Sequence, residues 1–168
     1  MRQVVMRHDD LEHLPELILP DGYQIHTADA DCVAAWEEIV ESSFETHCEY
    51  SDKTARPGWC PERLYFVEIN GVDVATATSY DHPDYPGYGF LHMVATHKSA
   101  TRKGAGSLAV LAVLHGLREI GKAGCVLTTD DYRLPAIKMY LSLGFVPEEN
   151  DEEMVTRWDL IRKHLKGG

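Results

Sequence analysis

The stretch from Leu91 to Phe145 constrains this chain most. It opens on an apolar strand pattern, Phe90 to Thr96, interrupted only by His92. A basic turn with two glycines follows, and then a helix pattern from Ser107 to Ile120. The first two turns of that helix, Leu108 to Leu114, are apolar nearly all round. A helix of that kind has to be covered on more than one side, so it belongs at the centre of the fold. Between strand and helix stand Arg102, Lys103, Gly104, Ala105 and Gly106. Such a turn offers free backbone N–H groups, a helix N-terminus and positive charge at one spot, which suits a pyrophosphate. A second strand follows from Cys125 to Thr129. Pro135 then sits in the first turn of a helix that runs to Leu143 and stops at Gly144, the usual residue just past a helix end.

The rest of the chain is arranged around that unit. Residues 1–22 carry proline-broken turns ending in Leu19-Pro20-Asp21-Gly22, and are expected to form an N-terminal extension with one helical turn around Leu11 to Leu17. Tyr23 to His26 alternates as a first strand. Asp29 or Asp31 is placed to cap a helix to about Ser43, with Val33, Trp36, Ile39 and Val40 at helical spacing. A short helix is expected near Thr46 to Lys53. Arg63 to Ile69 and Val72 to Tyr80 are joined by Asn70-Gly71, the strongest short hairpin signal. The loop from Asp81 to Tyr88, stiffened by Pro83 and Pro86, either borders a pocket or only connects. Phe145 to Val146 and Met154 to Trp158 read as two final strands, and 161–168 as a short basic tail. The expected class is therefore α/β or α+β: one domain over 23–160, built on a mixed sheet.

Charge and composition narrow the functions open to such a domain. With 16 basic and 27 acidic residues the net charge is −11, which argues against nonspecific nucleic-acid binding and fits either a cationic substrate or plain solubility. No apolar run approaches the roughly 20 residues that span a bilayer. The charged segment Met1 to Asp10 lacks a signal-peptide core, so a cytoplasmic location is expected. Cys32, Cys48, Cys60 and Cys125 form no C-x-x-C pair, and His47 with Cys48 and Cys60 does not complete a four-ligand set. No metal is expected, and reduced thiols are.

Several chemistries use a glycine turn. Gly104-x-Gly106-x-x-Ala109 formally fits the dinucleotide fingerprint, but seven residues, His97 to Lys103, separate it from its strand. No lysine follows Gly106 as a nucleoside-triphosphate loop requires. A turn that merely connects is the plain alternative. The longer pattern decides between them: Thr101-Arg102-Lys103-Gly104-Ala105-Gly106, then Ala136-x-x-x-Tyr140-x-x-Leu143-Gly144-Phe145. This order of motifs and elements resembles the GNAT-type acyl-CoA-dependent N-acetyltransferases. The sequence departs from that pattern at Lys98, where proline is common, at Thr101, where Arg or Gln is usual, and at Arg133, where asparagine is frequent.

The resemblance implies a mostly antiparallel mixed sheet of about six to seven strands, with splayed central strands and acetyl-CoA as co-substrate. By that likeness the amides of Arg102, Lys103, Gly104, Ala105, Gly106 and Ser107 hold the pyrophosphate, and Arg133 stands at a further cofactor contact. The pantetheine arm lies along Val94, Ala95 and Thr96, with the Val94 amide directed at the thioester carbonyl. Tyr140 protonates the departing thiolate; read from the residues alone it is also a core tyrosine. The stretch around His92 is similar to the arylalkylamine N-acetyltransferases, where a histidine here helps deprotonate the amine. A satisfied core histidine is the alternative, and Glu68, Asp81 and Tyr88 are lesser candidates for the base. The implied reaction is direct attack of a primary amine, on a small molecule or a peptide, in a ternary complex. The rival is an acyl-CoA-binding sensor or partner subunit without turnover. No nucleic acid or membrane partner is expected, and homodimer formation stays open.

Overall fold

A computed structural model describes residues 2–167. The elements run β1 (Val4–His8), β2 (Tyr23–Thr27), α1 (Cys32–Phe44), α2 (Tyr50–Thr54), β3 (Leu64–Ile69), β4 (Val72–Tyr80), β5 (Tyr88–Thr96), α3 (Ala105–Glu119), β6 (Gly124–Thr129), α4 (Leu134–Ser142), β7 (Val146–Pro147) and α5 (Glu152–Lys166). Seven strands form one sheet in the order β2-β3-β4-β5-β6-β1-β7. Only β5 and β6 pair in parallel, joined by α3; the other neighbours are antiparallel. The mixed sheet is the one expected from hairpins followed by a strand–helix–strand crossover.

Strand alternation divides the core. Cys125 and Leu127 pack with α3, α4 and α5 on one face, in a cluster that also holds Val110, Leu114, Tyr140 and Trp158. Between them, Val126 turns to the other face with Tyr80 and Phe90. Further along that second face α1 buries Trp36, Ile39 and Val40 against Leu64 and Phe66. Helix α3 is thus enclosed as its sequence requires, with Val110, Val113 and Leu114 fully buried.

Two expectations about the chain ends are corrected. Residues 4–8 are not part of an extension: β1 sits inside the sheet between β6 and β7, with Val4 and Met6 fully buried. The alternation of Val4, Met6 and His8, all buried, is the signal that marks it. Met154 to Trp158 is not a strand, and 161–166 is not a frayed tail; both lie in α5, which Gly167 follows (Met1 and Gly168 fall outside the described residues). Met154, Trp158 and Ile161 are buried at helical spacing, and the Asp151 carboxylate accepts from the Met154 N–H at 2.8 Å as an N-cap. Glu152 and Glu153 in the first turn, with Lys163, His164 and Lys166 in the last, suit the helix dipole.

An interior β1 makes a specific demand on stability. Met6→Ala is expected to cost about 2–5 kcal/mol, the range for emptying a core site, as read from urea unfolding. A loose extension would lose nothing.

Candidate active site

The parallel pair β5–β6 holds register for only three residues, Tyr88, Gly89 and Phe90 against Gly124, Cys125 and Val126. Beyond that point the strands separate. Leu127 to Thr129 continue in pairing with β1, and Leu91 to Thr96 stay with β4. Within the β4 pairing, Met93 and Val94 stand opposite the single residue Ala77, and Met93 has φ of 49°, so a bulge bends β5 outward at this point. The opening is the mouth of a cleft of about 1190 Å³. His92, Met93, Val94 and Thr96 line one wall, and Leu127, Thr128, Thr129 and Asp130 the other.

At one end of the cleft lies the glycine turn. Leu108 N–H makes the first bond of α3, to the Gly104 carbonyl at 3.1 Å. The amides of Arg102, Gly104, Ala105, Gly106 and Ser107 have no hydrogen-bond partner among the described residues, whereas that of Lys103 makes only a 3.4 Å bond to Ala100. Positive φ at Arg102 (64°) and Gly104 (77°) curls this segment. Successive free N–H groups in such a curl, ahead of a helix dipole, form an anion-binding concavity. Gly106 sets the helix start close to β5: a Cβ there would come within 2.8 Å of the Thr96 hydroxyl.

Tyr140 enters from α4. Its position follows from how that helix stops. The Phe145 N–H donates to the Tyr140 carbonyl (3.0 Å) and the Gly144 N–H to that of Leu141 (3.2 Å), the two bonds of a Schellman cap, with Gly144 at φ 97°. The accompanying apolar contact is Phe145 against the Tyr140 ring, 5.8 Å between centroids. His8 of β1 closes the corner, its Nε2–H donating to the Leu143 carbonyl at 3.0 Å. The motif Tyr-x-x-Leu-Gly-Phe is therefore a device that fixes one tyrosine against the cleft. Burial pushes the Tyr140 phenol well above its usual range.

His92 lines the cleft with its ring edge against Tyr80, 5.4 Å between centroids. Its Nε2 is buried without a partner. Burial, then the charges of Arg56 and Lys53, push its pKa down to about 4. At neutral pH the ring is neutral and open to a proton, though far from the value near 7 expected of a matched base.

The remaining expectations separate cleanly. Arg102, Gly104, Ala105, Gly106, Ser107 and Arg133 line the cleft. Ala95 and Lys103 do not. Ala95 is buried with Trp36 and Phe66, and the Lys103 carbonyl accepts from the Tyr23 hydroxyl at 2.8 Å. Arg133 leans across to stack on Phe44 at the end of α1, 4.6 Å from the ring centroid. Glu68, Asp81 and Tyr88 lie away from the cleft. Asp81 binds Arg63 and Lys122, and Tyr88 donates to Asp9. Burial acts to raise Asp81, but bonds from Lys122 and Arg63 outweigh it and hold it below the carboxylate range. Ser43 and Phe44, and His82, Asp84 and Tyr85 of the proline loop, also line the cleft. The first pair gave no sequence signal, since a helix pattern does not say what its last turn faces. The stiff, aromatic composition of the loop was the signal for the second set.

These features carry a family identity. The acetyltransferase (GNAT) family model matches residues 33–145. The chain belongs to that family. It is 31% identical to the mycothiol acetyltransferase of Thermomonospora curvata over 79% of its length, and 30% identical to that of Nocardia farcinica over 82%. These matches cover 47% and 50% of the relatives, so the chain spans about half the length of the curated relatives it matches. Its fold is that of a GCN5-related N-acetyltransferase from Sphaerobacter thermophilus (TM-score 0.71, 18% identity, 88% of this chain and 50% of that one). It is also that of the ribosomal-protein-S18-alanine N-acetyltransferase of Escherichia coli (TM-score 0.63, 21% identity, 74% and 77%). Among the described residues no helix is long and apolar enough to cross a membrane.

The depressed pKa of His92 has a stability consequence. Between pH 6.5 and 4 the unfolded chain takes up a proton there that the folded chain refuses, so stability falls as pH drops through that window. Between pH 7 and 5 this amounts to about 2 kcal/mol. His92→Gln should flatten the acid limb of denaturant stability by that amount, and an unchanged limb would place the ring in a different environment.

Proposed function

We propose that this domain transfers an acetyl group from acetyl-CoA to a primary amine by direct attack in a ternary complex. The observation that carries the reading is the pairing of the splayed β5–β6 opening with the five free amides at the start of α3. The amides and the positive end of the α3 dipole suit the pyrophosphate, with Arg102 adding charge. Pantetheine amides would pair with the exposed edge of β5 in the manner of an added strand. The Val94 N–H at the bulge is suited to the thioester oxygen, where negative charge grows as the carbonyl becomes tetrahedral.

In the reaction the amine nitrogen bonds to the thioester carbon, the C–S bond breaks, and the nitrogen sheds a proton. His92, neutral at working pH, takes that proton or passes it to water on the way to solvent. The Tyr140 phenol, kept protonated by burial, donates to the departing thiolate and recovers its proton from solvent. No thiol is placed for a covalent intermediate: Cys125 is fully buried in β6, and burial raises its pKa to about 12.

Two measurements test this. Titration calorimetry should give micromolar binding of acetyl-CoA and of CoA, about −8 kcal/mol; no binding of either sinks the reading. Tyr140→Phe should keep acetyl-CoA affinity and lower kcat about 10²-fold or more, the usual scale for a lost proton donor. Unchanged turnover in that variant would take Tyr140 out of the chemistry. Binding with no turnover of any amine would favour the sensor.

A further inference from the structure

On the face of the sheet that carries α1, three neighbouring strands bring one histidine and two carboxylates together. His26 of β2, Glu68 of β3 and Asp73 of β4 each offer a ligand atom, and these atoms lie within 4.8 Å of one another. All three side chains are half-buried, and none of them lines the cleft. Their positions show no ligand spacing in the sequence, because only strand pairing joins them.

The backbone builds this meeting. Glu68 stands opposite Gln24 on one side and Asp73 on the other, and His26 stands opposite Phe66, two residues back along β3. The Asp73 pairing depends on a bulge: Val67 faces Ala75 but Glu68 faces Asp73, so Val74 is an extra residue in β4. Val74 and Ala75 both pack into the cluster around α3, and Asp73 is thereby turned to the opposite face, beside His26. Plain alternation would have sent it to the α3 side. Two carboxylates placed directly opposite one another repel. Among the described residues neither has a lysine or arginine within ion-pair distance; Asp73 pairs with His26 alone, and Glu68 with nothing.

His26 is oriented as a metal ligand is. Its ring stacks on the buried Phe66, 5.3 Å between centroids and 9° from parallel. Its Nδ1 lies 3.1 Å from the Thr27 carbonyl, a contact that keeps a proton on Nδ1 and aims Nε2 at Asp73, 2.8 Å away. Ligating histidines are held by such a bond on their other nitrogen. Without an ion, a proton on Nε2 joins the ring to Asp73; a bound cation takes its place and the proton leaves to solvent. Atoms that share a tetrahedral ion at about 2.1 Å stand about 3.4 Å apart, so His26 and Asp73 need to part by only about half an ångström. His47 offers a contrast. It also meets two carboxylates, Glu41 at 3.3 Å and Glu49 at 3.1 Å, but through opposite ring nitrogens, so the three cannot share one ion.

We propose that His26, Glu68 and Asp73 bind a divalent transition-metal ion of the zinc or cobalt kind, which fastens the edge strand β2 to β3 and β4. One imidazole and two carboxylates suit such ions, and water completes the coordination. Set apart from the cleft, the ion has a structural role, and the proposal stands or falls separately from the acyl-transfer reading.

The test titrates chelator-treated protein with zinc chloride in a calorimeter. Micromolar binding of about one ion per chain is expected. Glu68→Gln removes a ligand that makes no hydrogen bond among the described residues, so the fold has nothing to lose; it should weaken zinc at least about tenfold, as should His26→Asn. His47→Asn should leave the affinity unchanged. Paramagnetic Co2+ gives a second readout: in a proton–nitrogen correlation spectrum it should broaden the amides of Gln24 to Thr27, Val67 to Ile69 and Val72 to Val74 first. Absence of zinc binding at millimolar concentration, full affinity in Glu68→Gln and His26→Asn, or broadening centred on His47 or a cysteine overturns the proposal.

Discussion

The parting of two parallel strands is the constraint on which the rest of this structure depends. Strands β5 and β6 share only three paired residues before they diverge. Divergence inside a sheet exposes backbone N–H and C=O groups that would normally pair, and such groups need a partner or water. Here the bulge at Met93 and Val94 turns β5 away, while β6 stays paired with β1 from Cys125 to Thr129. The result is an opening in the middle of the sheet, edged with backbone and floored by side chains. Helix α3 begins at that opening with its first amides unpaired. An extended, amide-bearing arm with a diphosphate at its end is complementary to both features at once.

Fixing the tyrosine at this opening recruits parts of the chain far apart in sequence. The Schellman cap of α4 positions Tyr140 from its own carbonyl, and the His8 ring ties the same corner to β1. Gly144 admits no side chain because a Cβ would meet the His8 ring at 2.7 Å. The N-terminal strand is therefore structural support for the site, although none of β1 itself lines the cleft.

The sequence revealed the central unit better than the ends, for a physical reason. Between Phe90 and Phe145 each element carries its own punctuation: Gly104 and Gly106, Pro135, Gly144. Local chemistry and tertiary role agree there. At the ends they diverge. Val155, Thr156 and Trp158 favour a strand by residue type, yet the spacing of Met154, Trp158 and Ile161, with the acidic start and basic finish, makes a helix that packs on the core. Five residues of β1 had no flanking turn signal strong enough to separate them from an extension. In the site, backbone recognition was legible because glycines and a helix start announce it. Side-chain direction was not: Ala95 and Lys103 adjoin cleft residues but face elsewhere, and only the fold brings Phe44 opposite Arg133.

The central claim is that the free amides at the start of α3 hold the cofactor's diphosphate. A proton–nitrogen correlation spectrum recorded during titration with CoA reads those amides one by one. The account predicts that Gly104, Ala105, Gly106 and Ser107 show the largest shifts, with their amide protons moving downfield as each gains a charged acceptor, and that pantetheine without the diphosphate leaves them in place. CoA binding that shifts β5 but leaves these four amides unmoved would contradict it.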